Sequence, residues 1–143
     1  MRPPSSTCWG GGGGQLLKRL ANIGVAVRDL RRAHDFYVGV LGMEAPPLAE
    51  GAGGFSASIG DVALFVFATE GAGEPGRTTD YMHNPRGIDH LAFEVENYAD
   101  AQRELEAIGV QFIHDSVGEP GGFEYRGFQD PDGNMVYVIT HGS

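Results

Sequence analysis

The chain is poor in cysteine: Cys8 is the only one in 143 residues. A single thiol excludes an internal disulfide and any zinc site of the cysteine-rich kind. Cations are scarce as well, with 10 Lys and Arg against 19 Asp and Glu, a formal charge of −9. That deficit removes the electrostatic footprint of a protein that binds nucleic acid or an anionic membrane surface. It leaves attraction of cations, or plain solubility, as the use of the charge. No apolar run nears the roughly 20 residues that cross a bilayer. No apolar stretch follows Arg2 as it would in a secretory leader. The five glycines at 10–14 are followed by no Gly-Lys-Ser/Thr, so they make no phosphate loop. No nucleophile-elbow sequence is present, which argues against a hydrolase triad. What is there suffices for one domain with its own apolar core, of cytoplasmic composition, with no nucleic-acid or membrane partner expected.

Residues 1–16 read as a flexible glycine-rich tail, because Pro3, Pro4 and the glycine run have little to bury. Beyond it the pattern changes. Asn22 to Val27 alternates as a strand, and Asp29 is placed to cap a helix with apolar positions Leu30, Ala33, Phe36, Tyr37, Val40 and Leu41, stopped at Gly42. Strands are expected over Gly54 to Ile59 and Val62 to Ala68, followed by a loop from Thr69 to Arg86. The order then recurs. His90 to Val95 alternates, Asn97 caps a helix bearing Tyr98, Ala101, Leu105 and Ile108, and Gly109 ends it. Strands are expected over Gln111 to His114, near Tyr125 to Gln129, and over Met135 to Thr140. Asp130-Pro-Asp-Gly reads as a turn rather than a calcium loop, which would need further ligands and a closing Glu. First strands are offset by 68 residues (Asn22 to His90) and last strands by 72 (Phe65 to Tyr137). Offsets that similar indicate a duplicated βαβββ unit, with modules at 17–72 and 86–141 inside one domain, 17–143.

The pieces Asn22-Ile-Gly-Val-Ala-Val-Arg-Asp-Leu30, Phe36-Tyr37 with Leu41-Gly42, Gly87-Ile-Asp-His-Leu-Ala-Phe-Glu-Val95 and Asp130-Pro-Asp-Gly-Asn134, in this order and spacing, resemble the vicinal oxygen chelate superfamily. That superfamily contains glyoxalases, bleomycin-resistance proteins, fosfomycin-resistance enzymes, methylmalonyl-CoA epimerases and extradiol dioxygenases. The resemblance implies an α+β fold: two paired βαβββ modules whose mixed sheets curl into an open cup, commonly in a homodimer. It also implies metal-ligand positions on the first and last strand of each module. Here these fall on Asn22, Phe65 (or Phe67), His90 and Tyr137, of which only His90 is a usual ligand. No metal and no other cofactor is therefore expected.

Alternation sorts the strand residues further. Ile23, Val25, Val27, Leu64, Val66, Leu91, Phe93, Val95, Val136 and Val138 form an aliphatic face suited to helices. The opposite face, looking into the cup, mixes small residues with rings and few polar groups. Its candidate ligand-binding residues are Asn22, Phe65, Phe67, His90, Glu94 and Tyr137. That mixture suits a flat organic molecule better than an ion. Three functions fit. One is binding of a small apolar or cationic aromatic molecule without a metal, as in the bleomycin-resistance branch. Another is a lyase, isomerase or dioxygenase, with an unusual metal site or with His90, Tyr137 and Glu94 as acid and base. A third is an interaction module whose cup is filled by its own rings.

Overall fold

The computed structural model describes residues 16–71, 73 and 77–142. Cys8, Trp9 and the glycine run of the expected tail lie outside the described residues. The first strand, β1 (Ile23–Val27), leads to Asp29, whose extended backbone (φ −123°) and carboxylate, accepting from the Arg32 N–H at 3.1 Å, start α1 (Leu30–His34). The single helix expected as far as Leu41 is corrected here. After α1 the chain widens into a π-helical stretch, Asp35–Val40, and the Leu41 N–H reaches the Phe36 carbonyl five residues back at 2.9 Å. The wider turn lets two consecutive residues, Phe36 and Tyr37, both face inward, where both are buried. Gly42 ends the stretch at φ +77°.

The antiparallel hairpin β2 (Gly54–Ile59) and β3 (Val62–Ala68) follows, with β3 running parallel to β1 in the order β1-β3-β2. Glu44 adds a single bridge to Ser58 beside β2. The loop after β3 carries a short 3-10 turn, Tyr81–His83, that the sequence pattern does not announce. The second module comprises β4 (His90–Glu94), α2 (Tyr98–Ala107) capped by Asn97, β5 (Val117–Gly118), β6 (Glu124–Gln129) and β7 (Met135–Thr140), in the order β4-β7-β6-β5. Again the first and last strands are parallel. The strand expected over Gln111–His114 is not formed. Phe112 turns its ring under Phe128 (centroids 5.5 Å apart) and the Arg126 guanidinium (4.4 Å), and among the described residues the one backbone–backbone bond to β6 runs from the Ile113 N–H to the Gly127 carbonyl. The edge pairing falls instead to the two residues of β5.

The aliphatic face forms the core. Val25, Val27, Leu64 and Val66 pack under Ala33, Phe36 and Tyr37, and Val136 and Val138 join the same cluster with Phe128 and Leu105. Each fully buried Val or Leu contributes about 1.5–3 kcal/mol. The modules meet where Phe36 packs on Phe128 (6.0 Å) and the Tyr37 hydroxyl donates to Asp130 at 2.6 Å. Asp130 also accepts from the Asp132 and Asn134 N–H groups and from the Asn134 amide, which makes the expected turn, with Gly133 at φ +86°. Asp132 in turn accepts from the Arg28 N–H at 2.9 Å, tying the turn to the end of β1. Among the described residues, no helix is long and apolar enough to cross a membrane.

Candidate functional site

On the face opposite the core, the strand pairing puts small residues beside rings. In the first module Gly24 and Ala26 lie in register with Phe65 and Phe67. In the second, Ala92 of β4 and Gly127 of β6 flank Tyr137 of β7. Tyr137 fills the space they leave. The His90 imidazole stands edge-on to it with centroids 4.6 Å apart, Tyr125 lies at 5.4 Å and His114 at 6.1 Å. The rings continue from Tyr125 to Phe123 (5.8 Å) and from Phe123 to His141 (5.5 Å), whose Nδ1 is 3.1 Å from Glu94. His114 is locked as a neutral tautomer. Its Nε2 accepts from the Gly127 N–H at 2.8 Å, so its proton sits on Nδ1, which donates to the Asp115 carbonyl at 2.6 Å.

Tyr137 is 3% exposed, and its hydroxyl is buried with no hydrogen-bond partner among the described residues. Such a group costs about 1–3 kcal/mol unless something meets it. Burial raises its pKa, helped by the Asp89 charge and by the neighbouring Tyr125 and Tyr81, so it stays a protonated donor. Asp89, just ahead of β4, is held from three sides: by Asn84 Nδ2 at 2.8 Å, by Arg77 Nη1 at 3.5 Å, and by His90 Nδ1 at 2.8 Å. Burial works to raise the Asp89 carboxyl, but the hydrogen bonds from His90 and Asn84 and the charges of His90 and Arg77 outweigh it, so its pKa is lowered.

Asp89 and His90 line a cavity of about 910 Å³ that runs between the edges of β1 and β4 and the turn before β7. Among the described residues, Arg28, Arg32 and Arg77 line it together with Glu70, Asp89 and Asp132.

The six residues singled out from sequence fall into smaller groups. His90 and Tyr137 touch. Phe65 and Phe67 stack at 5.8 Å with planes 23° apart, and Phe65 is 43% exposed. Glu94 pairs with His141 rather than with His90. Asn22 precedes β1 and is exposed. The sequence pattern does not single out Asp89, His114, Tyr125, Phe123 or His141. Asp89 precedes its strand and escapes alternation. Tyr125, however, lies two residues from Gly127, and a glycine facing a tyrosine across a hairpin is a readable sign of a ring pocket.

The metal that the resemblance implies does not fit these donors. Phe65 offers hydrocarbon, Asn22 one amide, Tyr137 a phenol that keeps its proton, and His90 has one nitrogen engaged by Asp89. A rearranged site is not assembled either. His83 pairs with Asp80 at 2.8 Å, and no three His, Cys, Asp or Glu among the described residues are grouped to hold an ion.

The sequence matches the family model of the Glyoxalase/Bleomycin resistance protein/Dioxygenase superfamily over residues 19–138. Among solved structures, an integron cassette protein from the mobile metagenome of V. cholerae is 28% identical with a TM-score of 0.65, over 90% of this chain and 98% of that one. A lactoylglutathione lyase from Agrobacterium tumefaciens is 22% identical with a TM-score of 0.64, over 88% and 96%. A glyoxalase family protein from Enterococcus faecalis is 22% identical with a TM-score of 0.68, over 87% and 99%. No curated protein sequence matches the chain.

Proposed function

The chain belongs to the glyoxalase/bleomycin resistance protein/dioxygenase superfamily, and on that premise we propose that it binds a small apolar or cationic aromatic molecule in its cup without a standard metal centre. The observation that carries this reading is the continuous band of rings from His90 through Tyr137, Tyr125 and Phe123 to His141. A band that merely closed the cup into a second core would bury its rings. Here Tyr137 is 3% exposed but Phe123 is 49% exposed, so the Phe123 end of the band offers ring area to a guest. Stacking on such rings contributes about 0.5–1.5 kcal/mol per pair beyond burial, and somewhat more for a cation held over a ring face. Glu94 and the net charge of −9 favour the cationic guest at the Phe123–His141 end.

Thermal-shift titration with methylquinolinium and with neutral quinoline tests this. Either compound should raise Tm, the cation more at low salt, and Tyr125→Ala with Phe123→Ala should abolish the shift. No shift from either compound, or a shift indifferent to both substitutions, speaks for a cup that takes no such guest.

A further inference from the structure

The open end of the ring band lies where three strands run side by side. Ile139 of β7 is in register with Glu94 of β4 on one side and with Tyr125 of β6 on the other. His141 follows two residues later, its ring 5.5 Å from Phe123 with planes 43° apart. The chain is pinned just beyond it. The Gly142 N–H donates to the Thr140 hydroxyl at 3.2 Å, and a Cβ on Gly142 would stand 2.7 Å from the Gly121 carbonyl oxygen. His141 Nδ1 is 3.1 Å from Glu94 Oε2. A carboxylate only accepts, so Nδ1 carries a proton and Nε2 is the nitrogen left to gain one. Both side chains stay open to water, His141 62% exposed and Glu94 67%. Among the described residues, the other titratable groups of the neighbouring elements are Glu124, Glu119 and Tyr125. Glu124 of β6 turns its oxygens to Ser116 Oγ and the Gly121 N–H, each at 3.4 Å. Glu119 belongs to the turn under Gly142, and Tyr125 stands on the far side of Phe123.

We propose that Glu94 makes this end of the cup selective for flat aromatic cations, and that His141, on gaining a proton, takes Glu94 from them. The proposal rests on the aromatic-binding reading above and names what selects and releases the guest of that same site. Glu94 and Phe123 both flank the His141 imidazole, so a cation seated on the Phe123 ring shares the Glu94 charge. While the imidazole is neutral, Glu94 keeps its negative charge and the cation gains both a ring face and a carboxylate. Once Nε2 is protonated, the imidazolium pairs with Glu94 and sets a like charge beside Phe123. Cation and proton then compete for one carboxylate. An imidazole is the side chain that changes charge between about pH 5 and 8, so the competition is read between those limits. An uncharged guest gains from the rings alone and is indifferent to it. The coupling is reciprocal: a bound cation drives the second proton off His141. Because both partners are exposed, the effect is modest, about two- to fivefold in affinity.

Calorimetry with methylquinolinium and the uncharged methylquinolone tests this at about pH 5.5 and about pH 8, between which neither probe changes charge. Salt at about 0.15 M screens the distant charges of the chain. The wild-type protein should bind methylquinolinium about two- to fivefold more weakly at the lower pH, with methylquinolone unchanged. Between the two pH values, binding of the cation should release protons, read from the heat in buffers of different ionisation enthalpy. His141→Gln cannot take a proton, so it should hold the cation equally at both pH values and release none. The remaining histidines are common to both proteins and do not produce that difference. Glu94→Gln should bind the cation no better than methylquinolone at either pH. Both positions are exposed, so both variants should keep the wild-type Tm. Cation binding indifferent to pH in the wild type, with both probes bound, overturns the competition and leaves the binding reading standing. So does a pH effect that survives in His141→Gln, or one that weakens methylquinolone equally. A cation preference retained by Glu94→Gln overturns the role of Glu94. Absence of binding by both probes at both pH values overturns this proposal and the binding reading together.

Discussion

A Cβ placed on Gly127 would lie 2.7 Å from Tyr137 Cε1 and 3.0 Å from His114 Nε2. Glycine is required there by close approach, since the two rings occupy the volume any side chain would need. Gly127→Ala should therefore destabilise the protein by about 1–3 kcal/mol through overpacking, read from the urea midpoint, and weaken quinoline binding by displacing Tyr137. A variant as stable as the wild type would show that the rings are free to move. Asp89 gives a second expectation at the same scale. Its carboxyl titrates below its ordinary value of 3.8 in the folded protein. The stabilisation from its pairing is therefore fully present above that ordinary value and is lost as pH falls through the lowered one. Asp89→Asn should cost stability near neutral pH, with the gap to wild type closing on acidification. Urea midpoints from neutral to strongly acid pH measure this, and a gap constant across the range would mean that the charge of Asp89 contributes nothing.

At the scale of elements, the turn before β7 joins the modules through one carboxylate. Asp130 is 4% exposed and accepts from Tyr37, Asp132 and Asn134. Tyr37→Phe removes one donor and should cost about 1–3 kcal/mol; Asp130→Ala should cost more, because it strands the buried Tyr37 hydroxyl and the part-buried Asp132 and Asn134 donors at once. The double variant should lose little beyond Asp130→Ala, since the single change already breaks the contact. Equal costs for the two single variants would argue that the inter-module bond alone matters. This turn was legible in the sequence, as were the caps at Asp29 and Asn97 and most strand bounds, because each rests on local chemistry. Two elements were not. The π-helical widening depends on seating Phe36 and Tyr37 together in a core contributed partly by the other module. The Gln111–His114 segment alternates like a strand, but the burial of Phe112 under Phe128 and Arg126 wins. The ring band was half legible: alternation put His90 and Tyr137 on one face, whereas Tyr125, Phe123 and His141 come to it only through the β6–β7 hairpin and the chain end.

For the whole molecule, two further expectations concern what the chain associates with. β1 and β4 each lie at one edge of their sheets, and Met82 and Ile88, in the loop between the modules, are 78% and 79% exposed. Open strand edges with apolar residues nearby invite pairing with another copy, so a two-fold homodimer is expected. Sedimentation giving a monomer at micromolar concentration would remove it.

The last expectation is that the purified protein carries no stoichiometric transition metal at the superfamily's position. Zinc, nickel or iron must be dehydrated to bind, and three or four strong donors normally offset that cost. At the four positions only His90 Nε2 is such a donor. Its partner nitrogen is turned to Asp89, the Tyr137 phenol is held protonated by its burial, and Phe65 has nothing to give. Elemental analysis should therefore find far less than one ion per chain, and a chelator should leave Tm unchanged. One bound ion per chain, lost in His90→Ala, would restore a metalloenzyme reading. Such an ion would sit on His90 Nε2 with Nδ1 still donating to Asp89.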